Sequence, residues 1–307
     1  MSLVNFQKKF FRAIGRNAFF ATRRLISLLP YPVFRFFITV FIPIGRPLIR
    51  NKKRLAMENL YTAFGTAKTD PEIKKIANEC FDNMATGMIE LIYFIDRPKK
   101  IVEKVSIEGQ EHLDKALSQG RGAVLLSAHF GNFILLYLRL ALAGYKVNSI
   151  MRRMRDEEFE KYISHFRDNN GIQTIYSLPH RECVSNSLKS LRNNETLVIL
   201  LDQNYGEDGR VFVDFFGQPA ATATGPVIFS QRADAPILPI FIIRENKDRY
   251  RIIIEPPVPL KAGSGTEEDL VQNVAQLTKV IEDYIRRYPH EWGGWLHRRW
   301  KSKPAAG

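Results

Sequence analysis

The sequence predicts an α/β protein with a mostly parallel central sheet flanked by helices. From residue 105 onward, short apolar runs alternate with longer segments of helical periodicity, which is typical of strand–helix–strand units. The chain has 307 residues, of which 45% are apolar and 25% charged, enough to build a large core. This composition argues against a disordered or collagen-like protein, and we find no internal repeat.

The predicted elements follow one another in regular alternation. Strands are predicted at residues 122–128, 147–151, 172–176, 196–201, 237–243 and 250–255. Helices are predicted at residues 132–143, 156–169, 183–192, 224–232 and 267–287, with a further helical segment within 52–94. A loop is predicted to connect the strand at 196–201 with the helix at 224–232.

The first 54 residues form a basic, aromatic arm. They contain twelve Lys or Arg residues, nine Phe residues and no acidic residue, whereas residues 55–307 have a net charge of only +1. Phe6, Phe10 and Ile14 share one helical face, which indicates a cationic amphipathic helix at a membrane surface. We therefore predict a membrane-anchoring arm at 1–54 and a globular domain at 55–307.

The apolar stretch at 25–49 is the most hydrophobic part of the arm. Arg35 and Arg46 divide it into charge-free runs of ten residues, and four prolines interrupt it further. A membrane span needs about 20 predominantly apolar residues. We favour a helix that lies in or re-enters the membrane, while a distorted span and an ordinary core segment remain alternatives.

Other classes of protein fit the composition less well. A phosphate-binding arm for nucleic acid explains the charge but not the nine Phe residues, so we expect no nucleic-acid partner. The apolar stretch starts too late for a cleavable signal peptide. Cys80 and Cys183 cannot form a disulfide framework or a four-ligand zinc site, and we expect no metal and no cofactor.

Polar residues follow two of the predicted buried strands. His129 follows the strand at 122–128, and Asp202 and Gln203 follow the strand at 196–201. Sites in open α/β sheets lie at the carboxyl ends of strands. Neutral histidine can accept a proton from a hydroxyl nucleophile, so His129 is a candidate general base.

Seven segments, taken in their order along the chain, resemble the late acyltransferases of lipid A biosynthesis. These form the lauroyl/myristoyl transferase family within the lysophospholipid acyltransferase superfamily. The segments are RLAMENLYTAFG at 54–65, VSIEGQEHL at 105–113, GAVLLSAHFGNF at 122–133, LLDQN at 200–204, VFVDFFGQPAATATGP at 211–226, APILPIF at 235–241 and YIRRYPHEWGGWLHRRWK at 284–301. The occurrence of all these segments in this order over about 250 residues identifies the family more specifically than the HFGN motif would alone.

The resemblance implies a His-x4-acid motif, in which the acid orients a histidine that deprotonates the acceptor hydroxyl. His129 matches the histidine, but Ile134 stands where the family has the acid. Asp202, Asp156 and Asp214 are candidates to replace it, Asn132 is a weaker one, and we assign His129 and Asp202 as the catalytic residues. A slow enzyme with an unassisted histidine and a catalytically degenerate lipid-binding homologue are the alternatives.

Six further residues are predicted to bind substrate. Arg152 matches a family arginine and could bind a phosphate, or it could be a solvated charge. Thr222, Thr224 and Gly225 precede a helix whose backbone N–H groups could hold a phosphate or an oxyanion, or the threonines could cap that helix. Asn132 and Gln203 complete the predicted substrate-binding set.

The C-terminal cluster contains three Trp residues beside several cations. Trp292, Trp295, Trp300 and the adjacent Arg299 could form an interfacial patch at a bilayer or a packed structural end of the fold. We interpret His297 as structural.

The resemblance implies an O-acyltransferase at the cytoplasmic face of a bacterial inner membrane. Its donor would be an acyl thioester on acyl carrier protein, or coenzyme A, and its acceptor a hydroxyl of a lipid A precursor. Anionic inner-membrane lipids are the expected partners of the arm. A different glycolipid, an ornithine lipid or a lysophospholipid is the alternative acceptor.

Overall fold

The described part of the chain begins with four helices of 15 residues or more. The computed structural model describes residues 3–45, 50–206, 209–261 and 266–304, and for residues 3–12 and Arg50 it gives the backbone only. The helices are α1 (Leu3–Ser27), α2 (Tyr31–Gly45), α3 (Arg50–Phe64) and α4 (Asp70–Phe94). The predicted break at Arg46 lies outside the described residues. Thr69 and Glu72 form a capping box at the start of α4, which fixes where that helix begins.

Nine strands follow in the described residues, seven of them in one central sheet. They are β1 (Val105–Glu108), β2 (Ala123–Ser127), β3 (Val147–Met151), β4 (Ile172–Tyr176), β5 (Thr196–Leu200), β6 (Arg210–Phe215), β7 (Gln218–Ala223), β8 (Ile237–Arg244) and β9 (Tyr250–Ile254). The sheet order is β1-β9-β8-β2-β5-β3-β4, and only the β8–β9 pairing is antiparallel. The predicted α/β architecture with a mostly parallel sheet is therefore confirmed.

The remaining two strands form a hairpin where the sequence predicts a loop. β6 and β7 pair antiparallel from Arg210↔Ala223 to Phe215↔Gln218. Phe216 and Gly217 make the turn, both with positive φ (57° and 74°), as tight hairpin turns require. The backbone N–H of Phe216 donates to Glu282 Oε2 at 2.6 Å. The loop prediction is wrong here because Phe at a positive-φ position is not a usual turn signal.

Helices cover both faces of the sheet. They are α5 (Pro98–Lys104), α6 (Gln110–Leu117), α7 (Phe133–Leu142), α8 (Glu157–Asn169), α9 (His180–Arg192), α10 (Gly225–Ala233) and α11 (Glu267–Arg287), followed by short 3-10 helices at Pro289–Glu291 and Gly293–Leu296. Val124 and Leu126 of β2 face one core, which contains residues of α3, α9, α10 and α11. Ala123 and Leu125 face the other, which contains residues of α2, α5, α6 and α7. Successive side chains of a strand thus fill two cores, which explains why β2 is apolar throughout.

The N-terminal helices pack on this sheet assembly. Phe34, Ile38 and Ile42 of α2 are buried in the second core. Arg35 donates to Glu90 of α4 at 2.5 Å, so the charge that was expected to interrupt an apolar run is paired inside the protein. In the described parts of the chain, none of the helices combines the length and the hydropathy needed to cross a membrane. The domain boundary at residue 54 stays a prediction.

Candidate active site

His129 lies in a tight turn directly after β2. Ser127 ends that strand, and Gly131 has a φ of +53°. A Cβ atom on Gly131 would lie 2.2 Å from the carbonyl oxygen of Ile242, a distance no side chain tolerates. Glycine is therefore required at this position for the chain to leave β2, pass β8 and enter α7.

The C-terminal segment forms backbone hydrogen bonds with the turn that contains His129. Phe130 and Trp292 form an isolated antiparallel bridge. Within it, the N–H of Gly131 donates to the carbonyl of Glu291 at 2.8 Å, and the N–H of Gly293 donates to the carbonyl of His129 at 2.8 Å. The backbone of His129 is thus fixed by a segment more than 150 residues away in the chain.

Asp202 accepts a hydrogen bond from the His129 ring. The distance from His129 Nδ1 to Asp202 Oδ1 is 2.9 Å, and the Asp202 side chain is fully buried. Its second oxygen, Oδ2, accepts from the indole Nε1 of Trp292 at 2.7 Å. β2 and β5 are adjacent and parallel, so the residues after them meet at one sheet edge. A proton on Nδ1 leaves Nε2 as the acceptor, which is the tautomer a general base needs.

Burial and charge act in opposite directions on this pair. Desolvation lowers the pKa of His129, but the Asp202 carboxylate and its hydrogen bond outweigh it, so the pKa lies above its ordinary value. Desolvation raises the pKa of Asp202, but the charge of His129 and the hydrogen bonds from His129 and Trp292 leave it below its ordinary value. Asp202 is therefore ionised at neutral pH and can stabilise an imidazolium.

Gln203 lies against the same imidazole. Its Nε2 is 3.3 Å from His129 Nδ1 and 3.2 Å from His129 Nε2. Phe133 contacts the ring edge-on at a centroid distance of 5.2 Å. With the proton on Nδ1, the Gln203 amide can donate to Nε2 of His129. The role of Gln203 in substrate binding stays a prediction.

The other two acid candidates lie elsewhere. Asp156 caps α8 by accepting from the N–H of Phe159 at 3.0 Å, and it pairs with Arg16 at 3.0 Å. Asp214 is exposed in the hairpin and accepts from the N–H of Gly217 at 3.1 Å. Both were candidates to orient His129, and neither does so, because Asp156 is held at the start of α8 and Asp214 in the hairpin turn.

Ile134 and Asn132 have structural surroundings. Ile134, in the family's acid position, is partly buried against the second core. Asn132 caps α7: its Oδ1 accepts from the N–H of Leu135 at 3.3 Å, and its Nδ2 donates to the carbonyl of Gly87 at 2.9 Å. Its role in substrate binding stays a prediction.

Arg152 and the start of α10 lie at the sheet edge that carries His129. Arg152 follows β3 directly and its side chain is exposed. Gly225 begins α10, which leads into β8, parallel to β2. Thr224 does not cap the helix, since its hydroxyl donates to the carbonyl of Gly209 at 2.9 Å. Thr222 is fully buried and donates to the carbonyl of Ala220 at 3.0 Å.

The C-terminal cluster lies beside His129 and Asp202, and two of its three Trp residues are not available for an interfacial patch. Trp292 and Trp295 are fully buried, and Arg299 is 1% exposed. His297, which was interpreted as structural, is exposed, with its ring centroid 6.2 Å from that of His129. The sequence did not indicate that these residues lie beside His129. A cluster of Trp and Arg residues is also typical of a bilayer anchor, and only burial distinguishes the two.

Within the described ranges of the chain, no group of three or more His, Cys, Asp or Glu side chains could hold a metal ion. Cys80 and Cys183 are both free and buried. The Cys80 thiol donates to the carbonyl of Trp292 at 3.2 Å, and burial raises its pKa to about 12.

Comparison with known proteins identifies the family. Over 284 residues the chain is 27% identical to the lipid A biosynthesis palmitoleoyltransferase of Escherichia coli K12, covering 90% of this chain and 87% of that protein. It is 26% identical over 288 residues to the lauroyltransferase of the same strain, covering 91% and 89%. It is also 26% identical over 191 residues to a phosphatidylinositol mannoside acyltransferase of Mycobacterium tuberculosis, covering 61% and 57%. The model of the bacterial lipid A biosynthesis acyltransferases matches residues 6–302, and the chain belongs to that family.

Proposed function

We propose that this protein transfers a fatty acyl chain from the thioester of acyl carrier protein, or coenzyme A, to a hydroxyl of a lipid A precursor. The observation that carries the proposal is the His129–Asp202 pair at the carboxyl edge of the sheet, with Nδ1 to Oδ1 at 2.9 Å. The membership of the chain in a lipid A acyltransferase family supports the glycolipid acceptor.

His129 acts as the general base in this mechanism. Its Nε2 takes the proton of the acceptor hydroxyl as that oxygen attacks the thioester carbonyl, which gives a tetrahedral oxyanion and an imidazolium. Asp202 stabilises the imidazolium without taking its proton. When the intermediate collapses, the C–S bond breaks, the electron pair leaves on sulfur, and His129 returns the proton to the thiolate. The products are an ester and a thiol.

Asp202 replaces the carboxylate that the His-x4-acid motif lacks here. It reaches His129 from the end of the adjacent strand β5, while Ile134, the second residue of α7, packs on the core. The pair supports catalysis by this chain over the alternative of a degenerate binding homologue. Arg152 and the N-terminus of α10 are proposed to bind phosphate or the oxyanion from the same edge.

A face of α2 supports attachment to the surface of a bacterial inner membrane at its cytoplasmic side. Six large apolar side chains are exposed on it at helical spacing, and Thr39 is exposed among them: Val33, Phe36, Phe37, Val40, Phe41 and Ile44. Leu25 and Leu28 at the end of α1 are 64% and 77% exposed. An apolar helix face with neighbouring cations is typical of a helix that lies in the interface with anionic lipids.

A different glycolipid is the second candidate acceptor. The similarity to a phosphatidylinositol mannoside acyltransferase favours it, since that protein's name specifies an acceptor other than lipid A. The chemistry at His129 is the same for both, and the choice depends on how the acceptor's head group fits the edge that carries Arg152.

The test is acyl transfer by the purified full chain followed by mass spectrometry. Acyl carrier protein and coenzyme A thioesters are each combined with a lipid A precursor and with a phosphatidylinositol mannoside. A mass gain of one acyl unit on the lipid A precursor, abolished by His129→Ala, is the expected result. A gain on the mannoside alone selects the second acceptor, and transfer that survives His129→Ala refutes the mechanism.

A further inference from the structure

Arg299 is a buried cation directly behind the proposed diad. Its side chain is 1% exposed, and no ion pair with a carboxylate is formed within the part of the chain that the structure describes. Its Nε is buried without a hydrogen-bond partner, and its guanidinium lies 5.0 Å from the centroid of the Phe215 ring. Burying an arginine without a counterion is unfavourable, so this position calls for an explanation beyond packing.

The guanidinium ties together two segments of the site. Nη1 donates to the carbonyl of Gln203 at 3.0 Å and to the carbonyl of Ala221 at 2.6 Å. Nη2 donates to the Thr222 hydroxyl at 2.7 Å. Gln203 directly follows Asp202, and the other two acceptors belong to β7. A planar fork with several donors can make these bonds at once, whereas a lysine ammonium cannot reproduce their geometry.

We propose that Arg299 is a positioning residue for the acyl transfer, one that fixes the Asp202–Gln203 segment against His129 and sets its positive charge behind the Asp202 carboxylate. The inference rests on the proposed function, because it assigns Arg299 a part in that reaction. The hydrogen bonds provide the geometric part of the role. Burial lowers the pKa of Arg299 to about 10 while the charge of Asp202 opposes that shift, so the guanidinium stays charged at neutral pH.

The positive charge of Arg299 should change the pKa of His129, whereas a role in packing alone would not. Four charged or titratable groups lie in or next to the pair: Asp202 interacts with His129 directly, His297 interacts with His129, Arg299 interacts with Asp202, and Lys52 of α3 interacts with His297. By Coulomb repulsion, the Arg299 cation behind the pair is expected to disfavour the imidazolium form of His129. Removing that cation should raise the pKa of His129. On acidification, the neutral imidazole that acts as the base should then become protonated at a higher pH.

The experiment separates the charge of Arg299 from its geometry. Arg299→Gln removes the charge, Arg299→Lys keeps the charge and loses the fork, and Lys303→Gln removes an exposed cation from the same tail as a control. For each full-length variant, kcat and KM are measured against pH, and the pKa of His129 is followed by NMR without substrate. His129→Ala is measured first, so that a failure of the proposed function is recognised independently.

The expected results differ between the variants. Arg299→Gln should lower kcat by about 10²-fold with little change in KM, since small displacements of catalytic groups cost about that much. It should also raise the pKa of His129 and move the acidic limb of kcat to higher pH. Arg299→Lys should lower kcat, but the acidic limb of its kcat–pH profile should stay at the wild-type pH. Lys303→Gln should match the wild type in both kcat and pH profile. A wild-type kcat in Arg299→Lys, or an unchanged His129 pKa in a folded Arg299→Gln protein, would overturn the proposal.

Discussion

Asp202→Asn is the substitution that probes the proposed site most directly. Asp202 is fully buried and accepts two hydrogen bonds, from His129 Nδ1 at 2.9 Å and from Trp292 Nε1 at 2.7 Å. An asparagine has one acceptor oxygen, so its NH2 group must face one of these two N–H donors. The volume hardly changes, but the ring of His129 loses the partner that fixes its tautomer.

The expected loss of rate follows from that geometry. In a hydrolase triad, replacing the orienting Asp by Asn lowers kcat by about 10⁴-fold because the imidazole adopts the wrong tautomer. That factor corresponds to about 5 kcal/mol of transition-state stabilisation. Because solvent does not reach the Asp202 carboxylate, salt should not screen its effect on His129.

The assay is kcat for acyl transfer as a function of pH, with Asp214→Asn as the matched control. Asp214 is an exposed carboxylate in the hairpin, and an asparagine there can still accept from Gly217, so we expect a change of about twofold or less. In Asp202→Asn the acidic limb should also move to lower pH, because the desolvation that lowers the pKa of His129 is no longer outweighed by a carboxylate.

Two results would refute this reasoning. One is an Asp202→Asn protein that keeps its wild-type rate while the Asp214→Asn protein loses it. The other is a large gain in rate from Ile134→Glu, since that would mean that the acid is simply missing and that Asp202 does not supply it. We expect Ile134→Glu to give no gain, because Nδ1 of His129 already has a carboxylate partner.

Three further outcomes follow from the structure. The kcat of the wild type should fall on acidification with an apparent pKa above the ordinary histidine value, because the Asp202 charge favours the imidazolium. An apparent pKa below the ordinary value would contradict the pairing of His129 with Asp202. Glu90→Gln should lower the free energy of unfolding in a denaturant titration by about 3–5 kcal/mol, since it removes the buried carboxylate that pairs with the partly buried Arg35 and Arg244; equal destabilisation by the exposed Glu103→Gln would argue against this. Phe36→Glu combined with Phe41→Glu should abolish binding to anionic vesicles in a flotation assay while acyl transfer to a detergent-solubilised acceptor persists; unchanged flotation would show that α2 is not the attachment surface.

The N-terminal arm shows where local patterns stop being informative. Its charge and helical periodicity are visible in the sequence, and both α1 and α2 form. Arg35, however, is a surface cation by any local criterion, yet it pairs with Glu90, 55 residues away, beside Arg244 of β8. The pairing depends on how α2 packs on α4, which no spacing of charges along the chain can indicate.

The sequence by itself determined the alternation of strands and helices, the catalytic candidate at the end of β2 and the family. Each of these depends on local apolar periodicity or on contiguous motifs. Asp202 could be proposed from the sequence, but only the tertiary structure shows its contact with His129 and the separate positions of Asp156 and Asp214, and only it places Trp292 and Arg299 beside the Asp202 segment. The reason is that an acid in this site is defined by its distance to an imidazole and by its burial. Both arise from pairing β5 beside β2 and from folding the C-terminal segment back over the turn after β2.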